Sequence, residues 1–373
     1  MATTDSRPAG GIDRRALNRA FLARQLLSGR HVMTAEAALE HLVGLQAQAP
    51  FPPYYGLWSR LEGFRPQELA DLLTGRRAVR IALMRGTVHL VTAADCLRLR
   101  PCFQPFLERG LTANFAKDLG GLDVAEVAEA ARSLLAREPH TVGDLTTALR
   151  MAWPDRPANA LGNVVRSLLP VVQIPPRGVW GMSGQPTYAL AQDWIGGEMD
   201  AEAGIDDLVL RYLAAFGPAT VKDIQAWSGL TRLRAVVERL RPRLVSLRDE
   251  EGRELLDLPD APRPEGDAPV PVRYLAPYDN AILSHTDRTR IISDEYRKAI
   301  ATKNAVIPGT ILVDGFVAGA WRIDQGRAST TLDVQLFTRI GGREREELTA
   351  EGERLLEFAA DDGASRELRV VDA

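Results

Sequence analysis

Cysteine is scarce: the 373-residue chain has two, Cys96 and Cys102. Six residues apart in a stretch that reads as helix, they match neither a redox Cys-x-x-Cys pair nor zinc-ligand spacing, so buried inert thiols are expected. No run of about 18 uncharged apolar residues occurs, and the opening MATTDSRPAGGIDRR has no apolar stretch; neither a membrane span nor a secretory signal is supported, and a cytoplasmic protein is expected. Phosphate-binding GxxxxGK[ST] loops, GxGxxG turns, HExxH pairs and Cys/His clusters are also missing, so no cofactor and no metal are expected. Nor is the chain basic: its formal net charge is −3. Overall charge therefore does not mark a nucleic-acid binder, and local arginine clusters would have to supply any phosphate contacts. With 45% hydrophobic and 25% charged residues the composition is ordinary for globular proteins, and the length suits about two to four compact units.

What is there is a loose repeat of three helices followed by a pair of strands. The third copy is the clearest. Residues 205–216 carry apolar side chains at helical spacing and stop at Gly217-Pro218. Thr220, three residues before Asp223, starts a short capped helix through Trp227 that Gly229 closes. A helix over 231–241 follows, then two short strands around Glu251-Gly252. Three helices and a hairpin wing make a winged helix-turn-helix. The second copy has helices over 124–136 and 157–168, a Thr141/Asp144-capped helix to about Arg150, and strands VVQI and TYAL around a Pro175–Gly184 loop. The first is more elaborate, with helices over 14–29, 34–46, 54–62 and 66–74, then the hairpin AVRIALMRGTVHLVT turning at Arg85-Gly86 and a helix capped by Thr92 and Asp95.

Beyond Pro259 a Pro- and Asp-rich linker gives way to strands, with Asp314-Gly315 as a two-residue hairpin turn, and a helix over 344–360 precedes a last strand. The expected fold class is α+β: three tandem winged helices plus a small C-terminal, mostly-β domain. The boundaries are 1–13 disordered or extended, 14–118, 119–200 and 201–262 for the winged helices, and 271–373 for an α+β, barrel-like domain.

Several segments carry a family resemblance: LNRAFLARQLL, LVGLQAQAPFPPYYGLWSRL, LMRGTVHLVTAADC, LAPYDNAILSHTDRTRII and ILVDGFVAGAWR. In this order they resemble the winged-helix DNA glycosylases typified by AlkZ, the azinomycin self-resistance enzyme of certain antibiotic producers, over essentially the whole chain. The resemblance implies a C-shaped monomer around duplex DNA that cleaves the N-glycosidic bond of guanine alkylated at N7, in bulky adducts and interstrand cross-links, for repair or toxin self-resistance. It also implies that Gln46-Ala47-Gln48 is the family's catalytic Gln-apolar-Gln motif.

The residues themselves permit that chemistry. On a helix over 34–46, Leu39, Leu42 and Val43 share a face with Gln46, so a polar amide points into apolar company and needs partners. Pro50 pushes Ala49 out of helical conformation. If the helix ends near Gln46, an extended continuation turns Gln46 and Gln48 the same way. An N7-alkylated guanine already carries positive charge and leaves without a general acid. What remains is to hold a water against C1′, where positioning is worth roughly 7–11 kcal/mol in ideal intramolecular cases. An amide oxygen accepts from that water and faces the sugar cation, while its NH2 donates to a phosphate or sugar oxygen. Gln48 is expected to position the water and Gln46 to help stabilise the cation. The alternative is that both amides merely cap backbone groups.

Other residues have competing readings. Arg80, Arg85 and His89 sit near the hairpin turn, where a wing touches phosphate or simply meets solvent. Asn280, His285, Asp287, Arg288 and Arg290 crowd one segment: two arginines at alternate positions of a strand suit DNA contact, or Asp287 closes a salt-bridged loop. Arg232, Arg234 and Arg239 line a recognition-like helix or a solvated face. Tyr54, Tyr55 and Trp58 line a pocket or pack a core. No lysine stands beside the motif to form a Schiff base, which favours a glycosylase without lyase activity. The competing function is a winged-helix transcriptional regulator, with the glutamines structural.

Overall fold

A computed structural model describes residues 11–373 except 201, 203, 302–305, 327 and 362. Of the expected 1–13 start, residues 1–10 lie outside the described residues. Gly11–Ile12 is extended and pairs in parallel with Arg248–Asp249.

Local capping chemistry sets most helix starts. Asp13 accepts from the Ala16 amide at 2.7 Å to begin Arg14–Arg24, and Thr34, Thr92, Thr141 and Thr220 cap Ala35–His41, Ala93–Leu119, Val142–Ala152 and Val221–Ser228 through their hydroxyls. The helices Pro66–Thr74, Val124–Leu135, Ala158–Leu168 and Ile205–Phe216 stand close to their expected ranges. Three others are shorter than expected: Arg14–Arg24 against 14–29, Ala35–His41 against 34–46, and Arg234–Leu240 against 231–241. The aromatic helix runs Pro52–Trp58, started by paired prolines in its first turn.

The two early stops share a mechanism. After Ala35–His41, the Gly44 amide donates to Leu39 O at 2.8 Å and the Val43 amide to Glu40 O at 3.1 Å, a Schellman turn with Val43 left-handed at φ 55°. After Arg14–Arg24 the same pair of bonds runs from Leu27 to Leu22 and from Leu26 to Ala23, with Leu26 at φ 58°.

The strands gather into three sheets. The hairpin Ala78–Ala82/Val88–Thr92 joins the second unit's strands into one six-stranded antiparallel sheet, because Arg80 and Ile81 pair with Gln173 and Val172. Leu45–Gln46 is an edge strand of that sheet, against Leu90 and His89. The third unit's hairpin, Val245–Asp249 with Glu254–Asp257, forms its own small sheet with Gly11–Ile12. The C-terminal strands Arg273–Leu275, Gly309–Val313, Phe316–Gln325, Ser329–Leu336 and Ser365–Val371 make a five-stranded sheet in chain order. It stays open and backed by the helix Gly342–Ala359, where a barrel-like domain was expected. The Asp314-Gly315 turn is as read, with both residues at positive φ.

The apolar cores cross the expected unit boundaries. One cluster joins Phe21, Val79, Val172, Tyr212, Trp227 and Leu312; another joins Leu39, Tyr54, Tyr274, Leu332 and Leu355; a third centres on the second unit and takes in Leu111 of the first. No described helix is long and apolar enough to cross a membrane.

Candidate active site

The Gln-Ala-Gln motif is displayed by the turn that ends the helix before it. A Cβ on Gly44 would lie 2.5 Å from Val91 Cγ1 and 2.8 Å from Leu90 O, so at φ 88° only glycine lets the chain pass the neighbouring strand. The Asn280 side-chain amide clasps this turn from the C-terminal region, donating to Gly44 O at 3.0 Å. Leu45–Gln46 then enters the sheet edge, and the Ala47 amide continues the contact by donating to Val88 O at 2.7 Å. Gln46 therefore stands on a strand, five residues past the end of the helix expected to carry it.

Gln46 is buried and Gln48 exposed. The Gln46 Oε1 accepts from Arg85 Nη2 at 2.8 Å, and the Gln48 Oε1 accepts from the Val88 backbone amide at a longer 3.3 Å. Both carboxamide oxygens thus face hairpin donors, which leaves each NH2 as the outward group. A carboxamide oxygen has a second lone pair, and the long Gln48 contact is the one a water most easily shares. Arg80 holds the motif from beneath, its Nη2 donating to the carbonyl of Ala47 at 2.8 Å.

Five of the seven residues read as DNA contacts are buried and engaged within the fold. Arg80 has 2% of its surface exposed; its Nε and Nη1 find no partner among the described residues, and burial pushes its guanidinium down to about 10. His89, cross-strand neighbour of Gln46, is wholly buried with Nδ1 on Thr87 O at 3.1 Å; burial, with Arg85 adding to it, pushes the imidazole down to about 3. It is neutral at physiological pH and cannot serve there as a general acid. His285 is likewise buried against Phe216 O and pushed to about 3, first by burial and then by Arg290. Arg290 donates to Pro218 O, and Asn280 holds Gly44. The expected strand through this segment is absent: Asp279 caps one turn of helix, Asn280–Leu283, and bends follow. Arg288 and Arg290 therefore do not share a strand face, and Asp287 pairs with Arg253 at 2.9 Å.

Arg85 and Arg288 remain, both half-buried. Arg85 sits at φ 55° in the hairpin turn, and its Nη1 also donates to Trp227 O at 2.6 Å, so one guanidinium bridges the motif and the third unit's capped helix. Burial, with Arg288 adding repulsion, lowers it to about 10. Arg288 spends Nε on its own loop, at His285 O. Neither arginine has a carboxylate partner among the described residues. Elsewhere Arg239 pairs with Asp206, leaving a solvated helix face. Tyr54 is core: its hydroxyl donates to Gly178 O at 2.8 Å and accepts from the Trp180 amide at 3.0 Å. No sequence signal marks the Arg85–Gln46 contact, which spans 39 positions.

A family model described as DNA glycosylase AlkZ-like matches residues 39–358, from the helix before the motif through Arg85 and Arg288. An interstrand DNA cross-link repair glycosylase of Streptomyces sahachiroi is 25% identical over 334 residues, which cover 81% of this chain and 85% of that protein. The solved structure of the Streptomyces sahachiroi DNA glycosylase AlkZ aligns with a TM-score of 0.80 at 20% identity, covering 97% of this chain and all of that one, a likeness of fold. With the family model spanning most of its length and the motif presented at a sheet edge, the chain belongs to the AlkZ-like DNA glycosylase family.

Proposed function

We propose that the protein is a monomeric, monofunctional glycosylase, cytoplasmic, that hydrolyses the N-glycosidic bond of N7-alkylated guanine in duplex DNA, taking bulky monoadducts and interstrand cross-links alike. One observation carries the reading: an exposed carboxamide, Gln48, stands two residues from a buried one, Gln46, in a setting where no carboxylate among the described residues is hydrogen-bonded to either and a neighbouring histidine is held neutral. Such a site protonates nothing near neutral pH, so it suits a leaving group that arrives with its charge. Gln48 Oε1 accepts from the attacking water and turns a partial negative charge toward the sugar cation. Water adds to C1′, the C1′–N9 electrons neutralise the charged purine, and the water's second proton passes to solvent.

The first lysine of the chain is Lys117, so the motif strand and its hairpin bring no amine for a Schiff base, in keeping with hydrolysis alone. Arg288 is the cation we assign to a backbone phosphate. Exposure of Gln48 suits approach from the groove with little base extrusion, as a bulky cross-link demands. The name of the Streptomyces relative supports the cross-link part of the reading. The test is a duplex oligonucleotide carrying one 7-methylguanine, assayed for an alkali-labile abasic site. Gln48→Ala should lower release at least about 100-fold while holding DNA affinity within about threefold. A protein that binds one operator sequence tightly and releases no base would be the regulator instead.

A further inference from the structure

We propose that Arg85 is a positioning residue that fixes which way the Gln46 carboxamide points, making Gln46 a hydrogen-bond donor toward DNA and leaving water acceptance to Gln48. This rests on the glycosylase reading and adds a division of labour within the motif.

The two orientations of a carboxamide are nearly isosteric, so an unrestrained glutamine presents oxygen or NH2 according to its surroundings. A guanidinium has donors only. Arg85 Nη2 at 2.8 Å therefore demands the oxygen of Gln46, and the NH2 must face the other way. Arg85 is itself immobilised: its second terminal nitrogen is spent on Trp227 O, and its backbone sits in the left-handed region of a tight turn followed by Gly86 at φ 68°. No carboxylate among the described residues competes for it, so Gln46 is its only side-chain hydrogen-bond partner there. Trp227 lies in the last full turn of Val221–Ser228, so the third unit's packing sets the orientation of an amide in the first. Among the described residues the Gln48 side chain meets a backbone amide alone, at 3.3 Å, and stays adjustable.

The experiment compares Arg85→Met, Arg85→Lys and Arg288→Met with the wild type. Single-turnover release is measured at saturating 7-methylguanine duplex, and DNA affinity across a salt series. Positioning by Arg85 predicts a fall of about 100-fold in the rate constant for Arg85→Met, an affinity within about threefold, a salt slope equal to the wild type, and partial recovery in Arg85→Lys, which can reach one of the two acceptors. Wild-type release at saturation overturns the proposal. So does weakened affinity with the salt slope reduced by about 0.9, the mark of a lost phosphate contact, which is the pattern expected of Arg288→Met. A second arm reads the contact without catalysis: the side-chain NH2 signals of Gln46 in 15N-labelled protein, assigned by their loss in Gln46→Ala. They should shift in Arg85→Met while the rest of the spectrum stays folded, and unmoved signals sink the proposal. If wild type releases no base but the signals shift, the substrate assignment fails and the orientation by Arg85 stands.

Discussion

Buried arginines in the scaffold and at the motif are treated in opposite ways. Away from the motif most of the large cations have a carboxylate: Arg24 meets Asp257 at 2.6 Å, Arg60 meets Asp279 at 2.8 Å, Arg211 meets Asp95 at 2.5 Å, and Glu351 gathers Arg30, Arg273 and Arg354; Arg100 and Arg290 are the buried exceptions, donating to Gln104, Ser167 and Leu169 and to Pro218 O. Around Gln46-Ala47-Gln48, Arg80, Arg85 and Arg288 have none among the described residues and donate only to carbonyls and one carboxamide. The scaffold pairs tie distant segments, Arg60 and Asp279 lying 219 positions apart, and in the one-to-one pairs the charges cancel. The motif keeps its positive charge, although burial opposes it. Arg288, the cation we assign to a backbone phosphate, is the one a polyanion would neutralise, so DNA binding needs a local cation and not a basic chain and is compatible with a net charge of −3.

The sharpest way to break the comparison is to make a scaffold arginine resemble a motif one. Asp279→Ala leaves the Arg60 guanidinium buried with only Gln25 and the Gly56 carbonyl for company. Stranding one partner of a buried pair typically costs about 3–5 kcal/mol, and that loss should appear in urea unfolding at pH 7. An unchanged midpoint would show that the paired arginines are not structural.

A smaller effect separates the regions by pH. His89 beside the motif and His285 in the third unit's core both have folded values near 3 against an ordinary 6.5. Because the folded value is depressed, each contributes stability that is complete above pH 6.5 and is lost as pH falls toward 3. Each should withdraw up to about 1.4 kcal/mol per pH unit in that window. The span from 6.5 to about 4.5 belongs mainly to them, since Asp287 and Glu254 are held near 2 and respond at lower pH. His285→Gln should flatten the decline between pH 6.5 and 4.5, measured by chemical unfolding; an equally steep decline would show that the buried histidines do not set it.

Legibility in the sequence followed the locality of each interaction. Helices opened by Thr141, Thr92 and Thr220 were readable because the cap hydroxyl and the amide that donates to it lie three residues apart, and Asp314-Gly315 announces its own turn. The Schellman stops were hidden because Leu26 and Val43, rather than glycine, occupy the left-handed position. For Val43 this is unusual, since β-branched residues resist that region; its full burial in the core holds it there. Fusion of the first two hairpins into one sheet leaves no local trace, because Arg80 and Gln173 are far apart in the chain. At the site, Gln46 and Gln48 stood out as a pair. Burial of Arg80, His89, Asn280, His285 and Arg290 followed from tertiary packing, and side-chain type alone could not separate them from Arg85 and Arg288.

The subtlest expected effect is on Arg80, which inverts the scaffold result. It lies in the sheet with, among the described residues, two guanidinium nitrogens unpartnered and one bond, to the Ala47 carbonyl. Replacing it with methionine removes a desolvated cation together with a charge-assisted hydrogen bond, terms of opposite sign. Stability should therefore move by less than about 1 kcal/mol, against the larger loss for Asp279→Ala. The rate should still fall about tenfold, near 1.4 kcal/mol of transition-state stabilisation, because Ala47 links the two glutamines and would lose the donor that fixes its carbonyl. Urea unfolding and single-turnover release on the same preparation separate the two effects. If stability falls by several kcal/mol in step with activity, Arg80 is one more scaffold arginine; if stability holds while the rate drops, the fold has left a buried charge unpaired where the motif needs its donor.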